Sequence, residues 1–170
     1  YRFHYRNVGA AAISAKGGSI LHLDLAEYKG KAEDTGIKVP NLRVLIGAHE
    51  SGITVVRPIN SKSTNDLLVA TRDIILILEQ HYKLPLIMRL HSDEERGIQK
   101  SEDFATEMAS RAIRLTCCPG FGSSKAESAI ARLSGKARAI LSDIPLKPDL
   151  KPLIWPHAMS YVANLEALSK

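Results

Sequence analysis

The sequence predicts an α/β protein with a mixed sheet flanked by helices. Period-two runs rich in leucine and β-branched residues fill the first third of the chain. After residue 64, runs with helical spacing alternate with shorter strand-like runs. No apolar stretch approaches the roughly 20 residues of a membrane helix, so no membrane insertion is expected.

The chain of 170 residues suits one domain with a real core, and 45% hydrophobic with 24% charged residues is an ordinary globular balance. Aromatics make up 5%, so the core should be aliphatic. A net charge of +5 favours polyanionic partners mildly. The adjacent Cys117 and Cys118 suit neither an intrachain disulfide nor a zinc site, and reduced thiols in a buried strand fit an intracellular compartment.

Residues 1–18 read as an irregular basic extension ending in Lys16-Gly17-Gly18, and residues 19–170 as the folded domain. In SILHLDLAEY (19–28), Leu21, Leu23 and Leu25 alternate with His22, Asp24 and Ala26, the period of a half-buried strand. The polar stretch 30–40 reads as a loop. LRVLIGAHE (42–50) and ITVVRPI (53–59), separated by Ser51-Gly52, read as a hairpin. Ser63 or Thr64 caps a helix over 65–82, and Pro85 precedes a strand over 86–91.

Residues 101–111 form a short amphipathic helix behind Ser101, and IRLTCC (113–118) a strand ended by Pro119-Gly120. A long helix over 124–143 carries Ala126, Ile130, Leu133, Ala137, Ile140 and Leu141 on one face. LKPDLKP (146–152) reads as a connector, and 154–168 as a last helix opening at Trp155-Pro156. Three antiparallel strands followed by alternating strand and helix yield the mixed sheet.

Carboxylates single out the site. An aspartate inside a strand is unusual, because burying an unpaired carboxylate costs several kcal/mol, roughly. Asp24 stands in the first strand, Asp93 just past the fourth, and Glu127 in the first turn of the long helix. Strand ends and helix N-termini are where sites gather in α/β folds. Three carboxylates converging there would repel unless divalent cations neutralised them, and oxygen-only sites suit Mg²⁺. The other reading of Asp24 is a pair with an arginine or lysine.

On Glu127's helix, Lys125, Arg132 and Lys136 recur at i, i+7 and i+11, which makes them candidates for nucleic-acid binding or a solvated face; Arg138 shares the stripe of Glu127. His22 and His91 precede the two aspartates by two residues each and read as hydrogen-bonded structural histidines.

From about Gly18 to Ala167 the chain resembles the catalytic core of retrovirus-like integrases, nearest the copia-type retrotransposon branch. HLDL resembles the first-aspartate strand of that family, and VVRPINSKST its third strand and the lead into its first helix. LHSDEERGIQKSEDF and PGFGSSKAESAIARLSGKARAIL resemble its second-aspartate segment and its loop-and-helix with the glutamate, and IWPHAMSYVANLEAL its last helix. The resemblance implies a ribonuclease H-like fold with a mixed five-stranded sheet. It also implies Asp24, Asp93 and Glu127 as DDE catalytic residues and ligands for Mg²⁺ or Mn²⁺, in DNA 3′-end processing and strand transfer. DNA would be the partner, in the nucleus or cytoplasm.

The chain carries Glu94-Glu95 where that family has Asn-Gly, and Ser124-Lys125 where its loop has a second Asn-Gly. These departures suit a second reading. A domesticated, inactive integrase-like fold would serve, without a metal cofactor, as a homo-oligomer or as a structural subunit of a large assembly. A mitochondrial or other organellar ribonucleoprotein, with RNA as the nucleic acid, or the periphery of a membrane complex would be such an assembly.

Overall fold

The computed structural model describes residues 19–28, 42–93, 96–117 and 124–170. The expected extension 1–18, the loop 30–40, Glu94-Glu95, Cys118 and the Pro119-Gly120 turn lie outside the described residues.

Among the described residues, five strands form one sheet: β1 (Ser19–Glu27), β2 (Arg43–His49), β3 (Thr54–Ile59), β4 (Ile87–Ser92) and β5 (Arg114–Cys117). Their spatial order is β3-β2-β1-β4-β5. β1, β2 and β3 pair antiparallel, while β4 and β5 run parallel to β1. The expected mixed sheet is thus formed, with β1 at its centre. Gly52 (φ 91°) closes the β2–β3 hairpin, its N–H donating to the His49 carbonyl.

Helix α1 (Thr64–Leu76) is capped by Ser63, whose hydroxyl accepts the Asp66 N–H. The predicted span to 82 is formed in two parts, because the chain widens into a π turn over Ile77–His81. A four-residue helix, α2 (Arg96–Gln99), precedes α3 (Glu102–Ser110); α2 is too short for periodicity to announce it. Helix α4 (Ser124–Asp143) falls where the apolar stripe placed it. Helix α5 (Lys151–Leu168) starts earlier than expected, inside the supposed connector. Pro152 sits in its first turn, where the missing N–H costs nothing, and Pro156 lies within the helix and is buried.

Alternation in the strands makes two apolar layers. Leu21, Leu23, Leu45, Leu90 and Val55 pack against α1 and α3 through Leu67, Ile74, Phe104 and Met108. Ala26, Val44, Ile46, Ala48 and Val56 pack against α4 and α5 through Leu133, Ala137, Trp155 and Met159. Gly47 is obligatory in the first layer, since a Cβ there would stand 2.5 Å from Ile74 Cγ2.

Candidate functional site

On the α4 side, β1 and β4 carry the residues that the core does not use. Their parallel register sets His22 against His91 and Leu23 against Ser92, so Asp24 and Asp93 are the next residues on adjacent strands.

The histidines are packed, not solvated. The rings of His22 and His91 meet edge to face, with centroids 5.5 Å apart. His91 Nδ1 is hydrogen-bonded to Thr116 Oγ1 on β5 at 2.8 Å. His49, at the end of β2, accepts the Ser51 N–H on Nδ1, which leaves its proton on Nε2 for Ser19 Oγ. Burial pushes the His22 pKa down to about 4, and the nearby His91, Lys125 and His49 add to the shift. Burial also lowers His49 and His91; Lys125 lowers His49 further, against the opposing Glu50. The three rings are therefore neutral at pH 7. Lys125 itself is exposed, at the start of α4.

Asp24 is half-buried, and its Oδ1 accepts the Leu25 N–H at 2.8 Å. It shares a cavity of about 1040 Å³ with Glu127. The cavity follows one stripe of α4 through Ile130, Ser134, Arg138 and Ser142, and is completed by Tyr28, Lys151 and Trp155. From Glu127 to Ser142 the stripe runs about 22 Å, so the space is a groove, not a closed pocket. Carboxylates stand at one end, and Arg138 lies three helical turns along. Arg138 and Lys151 make no ion pair among the described residues.

The other two predicted cations on α4 are engaged. Arg132 Nε lies 2.9 Å and Lys136 Nζ 2.7 Å from Glu166 Oε1 on α5. Burial raises the Glu166 pKa, but the hydrogen bonds and charges of this pair more than offset it, leaving the carboxyl below its ordinary value. Both cations join α4 to α5.

The expected metal ligands are carried to one end of the sheet, with oxygen donors suited to a hard cation. Asp93 does not line the cavity that joins Asp24 to Glu127. No three His, Cys, Asp or Glu among the described residues stand close enough together to hold a metal ion. As placed, the three carboxylates do not fit around an ion.

Sequence reasoning missed His49 and Lys151. The first looked like an ordinary strand end. The second belonged to a stretch read as a connector, and only an early helix start brings it to the groove.

No protein-family model matches the chain, and no curated protein does. Solved structures do. The chain is similar to one from the simian T-cell lymphotropic virus intasome in complex with the PP2A regulatory subunit B56 gamma, with a TM-score of 0.57 and 17% identity. That match covers 81% of this chain and 46% of the intasome chain, so this sequence spans about half the length of its relative. A second is the catalytic core domain of BIV integrase, with a TM-score of 0.51 and 9% identity, covering 88% of this chain and 97% of that one. The fold is that of an integrase catalytic core. At these identities the likeness concerns the ribonuclease H-like architecture: the mixed five-stranded sheet and its flanking helices.

Proposed function

We propose that this is an integrase-like domain that binds nucleic acid along the groove beside α4. The observation that carries the reading is that groove itself: Arg138 and Lys151, cations with no acidic partner among the described residues, line the same space as Asp24 and Glu127. Phosphates would pair with Arg138 and Lys151, and the carboxylate end would repel the strand and stop its advance. Lys125, exposed at the start of α4, extends the cationic surface; Arg132 and Lys136 contribute less, because Glu166 neutralises part of their charge.

The test is anisotropy of a labelled DNA oligonucleotide over a salt series. Arg138→Ala and Lys151→Ala should each weaken binding and reduce the log–log salt slope by about 1, whereas Arg132→Ala leaves the slope nearly unchanged. No binding by the wild type at low salt would end this reading.

A second reading, DNA strand transfer, is favoured by the placement of Asp24, Asp93 and Glu127 at one end of the sheet. These residues would have to draw together before acting in concert. Asp93→Asn should then abolish joining of a DNA end in Mg²⁺ or Mn²⁺ while far-UV circular dichroism stays the same. A wild type inactive on every DNA end tested leaves the binding role alone.

A further inference from the structure

The apolar layer beneath α4 and α5 draws its strand residues from β1, β2 and β3: Ala26, Val44, Ile46, Ala48 and Val56. Among the described residues, β4 and β5 put nothing into it. Their apolar side is the other one, where Leu90 and Leu115 pack toward α1 and α3. By alternation, Arg89 and His91 on β4 and Arg114 and Thr116 on β5 share the side that α4 and α5 leave uncovered.

The register makes neighbours of the two arginines. Arg89 pairs with Arg114, and His91 with Thr116 two positions on. Like charges directly opposite on adjacent strands destabilise a sheet, and neither guanidinium has an ion pair among the described residues. An arginine on an edge strand can serve as a guard against false pairing, which would account for Arg114 alone. Arg89 stands on an internal strand, half-buried, where it guards no edge.

A break in the register adds apolar surface at the same place. Ile87 pairs with Ser19 but Arg89 with Ile20, so Met88 is an extra residue next to Arg89. It is 48% exposed, and Leu86, just before the strand, is 68% exposed. Two cations without carboxylates thus adjoin a leucine and a flexible thioether. A nucleic-acid backbone would meet the charges and leave the apolar pair in water. A protein segment bearing both carboxylates and aliphatic side chains meets both.

We propose that the open face of β4 and β5 docks an acidic, partly aliphatic segment of a partner protein. Carboxylates pair with Arg89 and Arg114 in the two-pronged geometry that a guanidinium favours, and an aliphatic side chain covers Met88 and Leu86. Docking also relieves the repulsion that the free sheet carries between its two arginines. Neither arginine lines the groove beside α4, so the docking does not rest on the nucleic-acid reading.

The test is anisotropy of a fluorescein-labelled peptide of alternating glutamate and leucine, titrated with the full chain. Arg89→Ser and Arg114→Ser should each weaken binding about tenfold or more, with unchanged circular dichroism. Replacing the peptide's leucines by serine, or making Met88→Ser, should weaken it about threefold or more. Arg114→Glu, at an exposed position, should lose the glutamate peptide and gain a peptide of alternating lysine and leucine. Affinity for a labelled DNA oligonucleotide should be unchanged in Arg114→Ser. A wild type that ignores the glutamate–leucine peptide at low salt overturns the proposal, and so does binding that survives both serine variants. DNA affinity that falls with peptide affinity in Arg114→Ser would give this face to nucleic acid and overturn it as well.

Discussion

The two faces of the central strand are made from alternate residues, and they follow opposite rules. Toward α1, Leu21 and Leu23 are wholly buried among aliphatic side chains. Toward α4, the same strand presents His22, Asp24 and Ala26; its β2 side is apolar, while its β4 side holds histidine beside histidine and leads to two aspartates. One face spends every position on stability. The other gives up apolar burial at the positions where the candidate site lies, as expected where function and stability compete.

The largest effect should come from the apolar face. Leu23→Ala removes a side chain with no exposed surface and leaves a cavity among close-packed neighbours, at a cost of about 4 kcal/mol in urea unfolding. A loss below about 1.5 kcal/mol would mean that this layer collapses around the gap and is less rigid than its packing implies.

Acid should act through the polar face. His22 has a folded pKa of about 4 against an ordinary 6.5, so above pH 6.5 the ring is neutral in both states and stability is unaffected. Below 6.5 the unfolded chain takes up its proton first, and stability falls until about pH 4, by about 3 kcal/mol in total. His49 and His91, also lowered, push in the same direction. Urea midpoints measured from pH 7.5 to 4.5 should show this slope, and His22→Leu should flatten it. A slope unchanged in that variant would assign the acid sensitivity to other groups.

The smallest change in stability should be Asp24→Asn. The amide oxygen can still accept the Leu25 N–H, and one negative charge leaves a crowded end of the sheet, so unfolding should shift by less than about 1 kcal/mol. If strand transfer takes place, it should vanish in this variant while DNA binding is no weaker. A large loss of stability would place Asp24 among the structural residues and erase the contrast between the faces.

Most of the architecture was legible because period and punctuation are local. Leu21, Leu23 and Leu25 announce a strand, and Ala126 through Leu141 announce the buried stripe of α4. What escaped depends on partners distant in sequence. Helical spacing put Arg132 and Lys136 on one stripe, but nothing local shows that Glu166, thirty or more residues on, would engage both. Pro156 suggested a helix start because proline is favoured in a first turn, and the true start at Lys151 uses Pro152 in that way instead. For the site, the sequence picked out the three carboxylates, and the fold brings Asp24 beside Asp93 in the strand order and beside Glu127 in the groove. That spacing could not say whether all three close on one point, since side-chain geometry at strand ends depends on neighbours, not on period.

The strand order also bears on how the chain is made. The central strand comes first, finds β2 and β3 within the next forty residues, and then waits for β4. During synthesis, one edge of β1 stays unpaired until Ile87–Ser92 have left the ribosome, an open edge of the kind that invites pairing with the wrong chain. Glu127 arrives later still, so the groove is among the last parts of the domain to exist. A nascent chain holding both aspartates therefore has no groove in which to receive a strand, and the proposed binding surface is withheld until the domain around it is nearly complete.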